Sequence, residues 1–127
     1  MKTATVSLDG EERLLCFSTG VMEDVYSEYG GLQEFFDAMS GKNDNPIRAI
    51  IWALDKMMDA GARYARRKGI PAAAPLTADE LRDVCDLSDL AGLQQAVLST
   101  ITAGSAREVE AEPPKNGMTT PAKTGAP

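Results

Sequence analysis

Few side chains in this chain can do chemistry, and histidine is not among them. Without it the commonest general base and the commonest transition-metal ligand are both missing, and a histidine-dependent catalytic triad is excluded. Cys16 and Cys85 are the only thiols. Two thiolates without histidine cannot fill the four nitrogen or sulfur positions of a structural zinc site. A nucleophilic role for Cys85 is opposed by Asp83 and Asp86, whose charges hold a nearby thiol protonated. Adjacent carboxylates can work as acid and base, and Glu11-Glu12, Glu23-Asp24 and Asp79-Glu80 are such pairs. Each falls in an expected turn or first helical turn, where solvation or the helix dipole accounts for acids. Ser18-Thr19-Gly20 is rich in hydroxyls, but it lacks the glycine frame and lysine of a phosphate loop and reads as a helix cap. These residues argue for no enzyme, no metal and no cofactor.

Charge and hydropathy narrow the partners. Lys and Arg number 13 against 19 Asp and Glu, a net charge of −6 that opposes a role in binding nucleic acid. The basic cluster Arg63, Arg66, Arg67 and Lys68 is the one local positive field. It sits at an expected helix C-terminus, where the dipole favours cations and repels phosphate, so it reads first as a dipole complement and second as a contact for an acidic partner. The longest apolar run, residues 49–54, is far short of the ~20 residues that span a bilayer. Residues 1–3 lead into an alternating segment without an apolar stretch of signal-peptide length, so a cytosolic chain with reduced, core-filling cysteines is expected.

The elements that must position these groups follow from periodicity. Residues 3–8 alternate polar and apolar, Asp9-Gly10 is a tight hairpin turn, and residues 13–17 form the return strand, with Ala4, Val6 and Leu8 on one face. Ser18 or Thr19 caps a helix carrying Met22, Val25, Tyr26 and Tyr29, which Gly30-Gly31 stops. Leu32, Phe35, Phe36 and Met39 make a short second stripe that ends at Gly41. Asn45-Pro46 opens the longest helix, with Ile47, Ile50, Ile51, Leu54, Met58, Gly61, Ala62 and Ala65 on its apolar side. After a stiff connector from Pro71 to Pro75, Thr77 and Glu80 have capping-box spacing, Leu76 is placed as the hydrophobic staple, and Leu81, Val84 and Cys85 face inward. Ser88 is the expected cap of a last helix whose Leu90, Leu93, Val97 and Ile101 share a side. The fold class is α+β, mostly α: an N-terminal β-hairpin packed on four to five helices. Residues 1–106 form the folded domain. Residues 107–127 hold four of the seven prolines and are too poor in apolar side chains to fold, so a disordered tail is expected there.

Trp52 stands apart from this pattern. At about 100° per residue it lies roughly 150° from the middle of the apolar stripe of its helix, among Arg48, Lys56, Asp59 and Arg63. Either another element, such as the hairpin, covers that side, or the ring anchors a partner, a role in which tryptophan is enriched. Met57 and Tyr64 flank the stripe and widen the possible contact. The candidate partner-binding residues are therefore Trp52, Lys56, Met57, Arg63 and Tyr64.

In the order of its pieces the chain resembles the tail assembly chaperones of long-tailed bacteriophages and their prophages. Residues 6–17 look like that family's opening hairpin, residues 18–30 like the helix after it, and residues 45–54 like its central helix. Residues 75–87 are similar to its threonine-capped helix and residues 90–101 to its last, so the likeness spans about residues 3–104. The resemblance implies a small cytoplasmic protein without catalytic activity, self-association being compatible with it. Such a protein binds the tape measure protein, keeps it soluble and recruits tail-tube subunits, and it is absent from the mature virion. A small acidic regulatory adaptor that binds a folded host protein is the alternative, from a different functional class.

Overall fold

The computed structural model describes residues 3–42 and 45–105. The expected tail lies outside the described residues. The chain begins with an antiparallel hairpin, β1 (Thr3–Leu8) and β2 (Glu11–Cys16), in which Thr3 faces Cys16 and Leu8 faces Glu11. Five helices follow: α1 (Thr19–Tyr29), α2 (Leu32–Met39), α3 (Pro46–Lys68), α4 (Ala78–Val84) and α5 (Leu90–Ser105). Asp9 and Gly10 have φ of 53° and 79°, the paired positive values that a two-residue type I′ turn requires. That tight turn sets Glu11 directly opposite Leu8, so the return strand starts two residues earlier than its apolar content suggests. Cross-strand pairing places Ala4, Val6 and Leu8 on the same face as Leu15, Arg13 and Glu11.

Local signals start α1, α3 and α4 and stop α1 and α3. The Ser18 hydroxyl accepts the Val21 amide and Asn45 accepts that of Ile47, while Pro46 occupies the first turn of α3. Gly30 and Gly69 close α1 and α3 in the left-handed conformation. The Thr77 hydroxyl accepts the Glu80 amide at 3.1 Å while the Glu80 carboxylate accepts that of Thr77 at 2.9 Å, a complete capping box. Ser88 does not cap α5. It lies inside a 3-10 turn, Leu87–Asp89, where the Asp89 carboxylate accepts the Asp86 amide at 3.0 Å, and α5 continues from that turn. In α1 the buried line runs through Val21 and Val25, which leaves Tyr26 outside it and 60% exposed. Ile47, at the first turn of α3, is likewise 40% exposed, whereas Ala49, Ala53, Met57 and Ala60 widen the buried side of that helix.

The core forms where α3 crosses β2 and α5 covers β1. Helix and strand approach so closely that a Cβ on Gly61 would overlap the Leu14 carbonyl and lie 3.1 Å from the Leu14 Cβ. A Cβ on Gly104 would likewise sit 2.6 Å from the Phe17 carbonyl oxygen. Arg13, turned inward by strand alternation, is 5% exposed. Its Nε donates to the Leu8 carbonyl at 3.3 Å and its Nη1 donates to the Ala74 carbonyl, tying the connector after α3 to the hairpin. The Leu76 amide also donates to the Met58 sulfur, at 3.3 Å.

These approaches give glycine substitutions opposite signs. Gly61→Ala must displace backbone and should destabilise by about 1 to 3 kcal/mol or more, the usual cost of overpacking. Gly92, in α5, has nothing within 4 Å of an added Cβ, so Gly92→Ala should stabilise by up to about 1 kcal/mol. Chemical denaturation of the two variants checks both signs.

Candidate functional site

Trp52 projects from the second turn of α3 into the corner formed by the end of α1 and the start of α2. Its ring meets Tyr29 edge-on, with centroids 5.2 Å apart, and Phe35 at 5.9 Å, while Tyr29 and Phe35 are themselves 5.2 Å apart. Tilted and edge-to-face contacts of this kind set the positive edge of one ring against the negative face of another. The far side of α3 is thus covered by α1 and α2, and not by the hairpin, which occupies the Gly61 side. Coverage is partial. The half-buried Trp52 also lines a cleft of about 270 Å³ between the first half of α3 and the start of α4, with Ile47, Arg48, Ile51, Asp55 and Arg82 around it.

The cleft is apolar at its floor and charged at its rim. Arg48 approaches Glu28 at 3.8 Å, and Arg82 approaches Asp79 at 3.7 Å; both pairs are exposed and screened by water. Asp55 lies partly out of water beside Trp52. Burial, helped by the nearby Asp59 charge, pushes its carboxyl above the usual range, and Lys56 opposes that shift.

The five residues singled out from sequence fall in three places. Trp52 lines the cleft, and Lys56, one turn on, is half-buried on the same side of α3. Met57 is 1% exposed and belongs to the core, so it is withdrawn from the contact surface; the buried arc of α3 is wider than its strongest apolar residues alone outline. Arg63 is exposed and Tyr64 half-buried near the end of the helix, about 18 Å along its axis from Trp52. There the Arg67 and Lys68 charges each lie 6.0 Å from the Tyr64 ring centroid. Asp55, Arg48 and Arg82 were not singled out in advance. The two on α3 lie three and four residues from Trp52 and share its side, but Arg82 arrives from another helix.

The groups with catalytic potential do not converge among the described residues. All three carboxylate pairs are exposed, Glu80 is occupied in the capping box, and Glu23-Asp24 lies beyond the first turn of α1. No cluster of three or more potential metal-ligating side chains occurs among the described residues. A wide hollow of about 670 Å³ lies between β2 and the connector, but its buried cation, Arg13, is engaged with two carbonyls. Cys16 is buried and Cys85 half-buried, and both are free. Burial pushes both thiols up; Arg67 opposes this at Cys16, and Asp89 and Asp86 add to it at Cys85. No described helix is long and apolar enough to cross a membrane. Comparison with known protein families, with curated proteins and with solved structures finds no match.

Two outcomes follow from this geometry. Trp52→Ala removes a half-buried ring from a three-ring cluster and should destabilise the free protein by about 2 to 4 kcal/mol, somewhat less than the ~3 to 5 kcal/mol of a fully buried aromatic. Thermal unfolding of the variant measures this. The raised thiol values set a pH dependence with a definite sign. An unfolded thiol ionises near about 8.5, while the folded one stays protonated, so the unfolded chain sheds protons first and stability falls as pH rises through that range. Between about pH 7 and 10 the wild type should lose more stability than a Cys16→Ala, Cys85→Ala double variant.

Proposed function

We propose that this protein is an assembly chaperone of the phage-tail kind, which binds the tape measure protein through the Trp52 cleft, keeps it soluble and recruits tail-tube subunits. It acts in the cytoplasm of the bacterial host and leaves before the virion is complete. The observation that carries this reading is the cleft itself. An indole held on one side by Tyr29 and Phe35 and open on the other offers a rigid, amphipathic anchor beside the exposed Ile47. Rings of this kind are enriched among the residues that dominate protein–protein affinity. The hairpin followed by helices, in the order the chaperone family's pattern requires, supports the same reading.

Ile47 separates binding from folding better than Trp52 does. Its side chain is exposed in the first turn of α3, where a negative charge suits the helix dipole, so Ile47→Glu should leave the melting temperature nearly unchanged. Co-expressed with the tape measure protein, the wild type should bring that long partner into the soluble fraction and copurify with it. Ile47→Glu should weaken capture by about tenfold or more, equivalent to roughly 1.4 kcal/mol. A tape measure protein that stays insoluble in the presence of the wild type would sink the chaperone reading. Undiminished capture by Ile47→Glu would instead move the contact away from the cleft.

A further inference from the structure

The last two turns of α3 carry more positive charge than a helix terminus calls for. In a chain with 19 acids against 13 bases, Arg63, Arg66, Arg67 and Lys68 stand within six consecutive positions. All four are exposed, and none forms an ion pair with another described residue. The helix dipole favours cations only near the final turn, and Arg63 lies more than one turn before Lys68, the last residue of the helix. Nor are the arginine side chains occupied in capping, because the Gly69 and Ile70 amides donate to the Arg66 and Ala65 carbonyls.

The surroundings of this cluster have a definite order. Arg63, Arg66 and Arg67 are spaced as one side of a helix and span about 6 Å of its axis. Arg67 and Lys68 each lie 6.0 Å from the Tyr64 ring centroid, so the cations gather around an aromatic ring. Past the left-handed Gly69 comes Ile70, which is 43% exposed. There the sign of the surface reverses. Ile70 and the connector after it form one wall of the hollow of about 670 Å³, and the opposite wall carries the exposed Glu11 and Glu12, the Arg13 charge being engaged with two carbonyls.

A basic and aromatic platform, an apolar step and then an acidic wall select for a short occupant. Nucleic acid carries a charge about every 1.7 Å and would run from the platform onto Glu11 and Glu12, which repel it. A few carboxylates followed by an apolar side chain match the platform and the step together. Guanidinium forks hold carboxylates by paired hydrogen bonds, and arginine and tyrosine are enriched among the residues that dominate protein interfaces. We propose that the end of α3 is a docking site for an acidic segment of a partner protein, with its carboxylates on Arg63, Arg66 and Arg67 and a following apolar side chain on Ile70. The site lies about 18 Å along α3 from Trp52 and does not depend on what the cleft there binds.

Fluorescence polarisation of a labelled synthetic peptide, four glutamates followed by two leucines, titrated with the full chain tests this. Binding should saturate at about 20 mM salt and be lost at about 1 M, where the screening length falls to about 3 Å. Arg63→Gln with Arg66→Gln should weaken it by about tenfold or more, whereas Lys42→Gln, beside the start of α3, should leave it unchanged. Replacing the two leucines of the peptide by glutamines should weaken it by about threefold or more. An oligothymidylate of ten bases should bind less tightly than the peptide. Absence of saturable binding to the wild type would overturn the proposal, as would equal binding by the arginine variant, by the leucine-free peptide or by the oligothymidylate. Should the arginine variant fail to fold, nuclear magnetic resonance of the wild type decides alone: the peptide should shift the arginine Nε–H resonances of α3, and unmoved resonances would overturn the proposal.

Discussion

The fold depends on how closely α3 can lie on β2. A two-stranded hairpin is marginal in water by itself and holds its shape only by laying a face on something else. Here the contact is backbone to backbone, because Gly61 has no side chain to keep the helix away from the Leu14 carbonyl. Gly104 repeats the device where α5 meets Phe17. The two approaches fix the hairpin between α3 and α5, and the apolar residues that fill the remaining space, Leu15, Cys16, Leu54 and Val97, are all fully buried as a result. Interiors packed this tightly transmit small volume changes directly, so a single methyl at either glycine is felt throughout the junction.

Around this junction, polar groups do work that the apolar residues cannot. Arg13 brings a charge into the core without a carboxylate partner among the described residues and satisfies it on the Leu8 and Ala74 carbonyls. Charged donors make stronger hydrogen bonds than neutral ones, and here they join two segments 61 residues apart in the chain. The connector after α3, stiffened by Pro71 and Pro75, is held in place from both sides, by Arg13 and by the Leu76 amide on Met58. That placement sets α4 against α3 and so creates the cleft beside Trp52. The shape of this cleft is thus a consequence of how the connector is tied down.

Trp52 shows how a departure from pattern becomes meaningful only in three dimensions. Its angle on α3 marks it as a ring on the charged side of the helix, and another part of the chain covers that side in part. Tyr29 and Phe35 bury one side of it, while the other side opens onto the cleft. A residue shared in this way links the stability of the α1 and α2 corner to the shape of the surface. Met57, by contrast, looked like a flank of the same surface and is core, because the buried arc of α3 packs against β2, α2, α4 and α5 instead of a single neighbour.

What the sequence determined by itself lies among the features governed by neighbours within about four residues. The Asp9-Gly10 turn, the Ser18, Asn45 and Thr77 caps, the glycine stops after α1 and α3, and the absence of histidine chemistry all rest on local conformational preference and composition. The Ser88 cap failed because a competing local device, the Asp86 and Asp89 pair, was stronger. Other features required the fold. The inward turn of Arg13 agrees with strand parity, but its acceptor on Ala74 is remote in sequence. The need for glycine at 61 and 104 is visible only once a strand backbone lies against the helix. Arg82 reaches the rim of the Trp52 cleft from a separate helix. Periodicity reports which face of an element is apolar; it carries no information on which other element arrives at that face, since that is settled by packing between segments far apart in the chain.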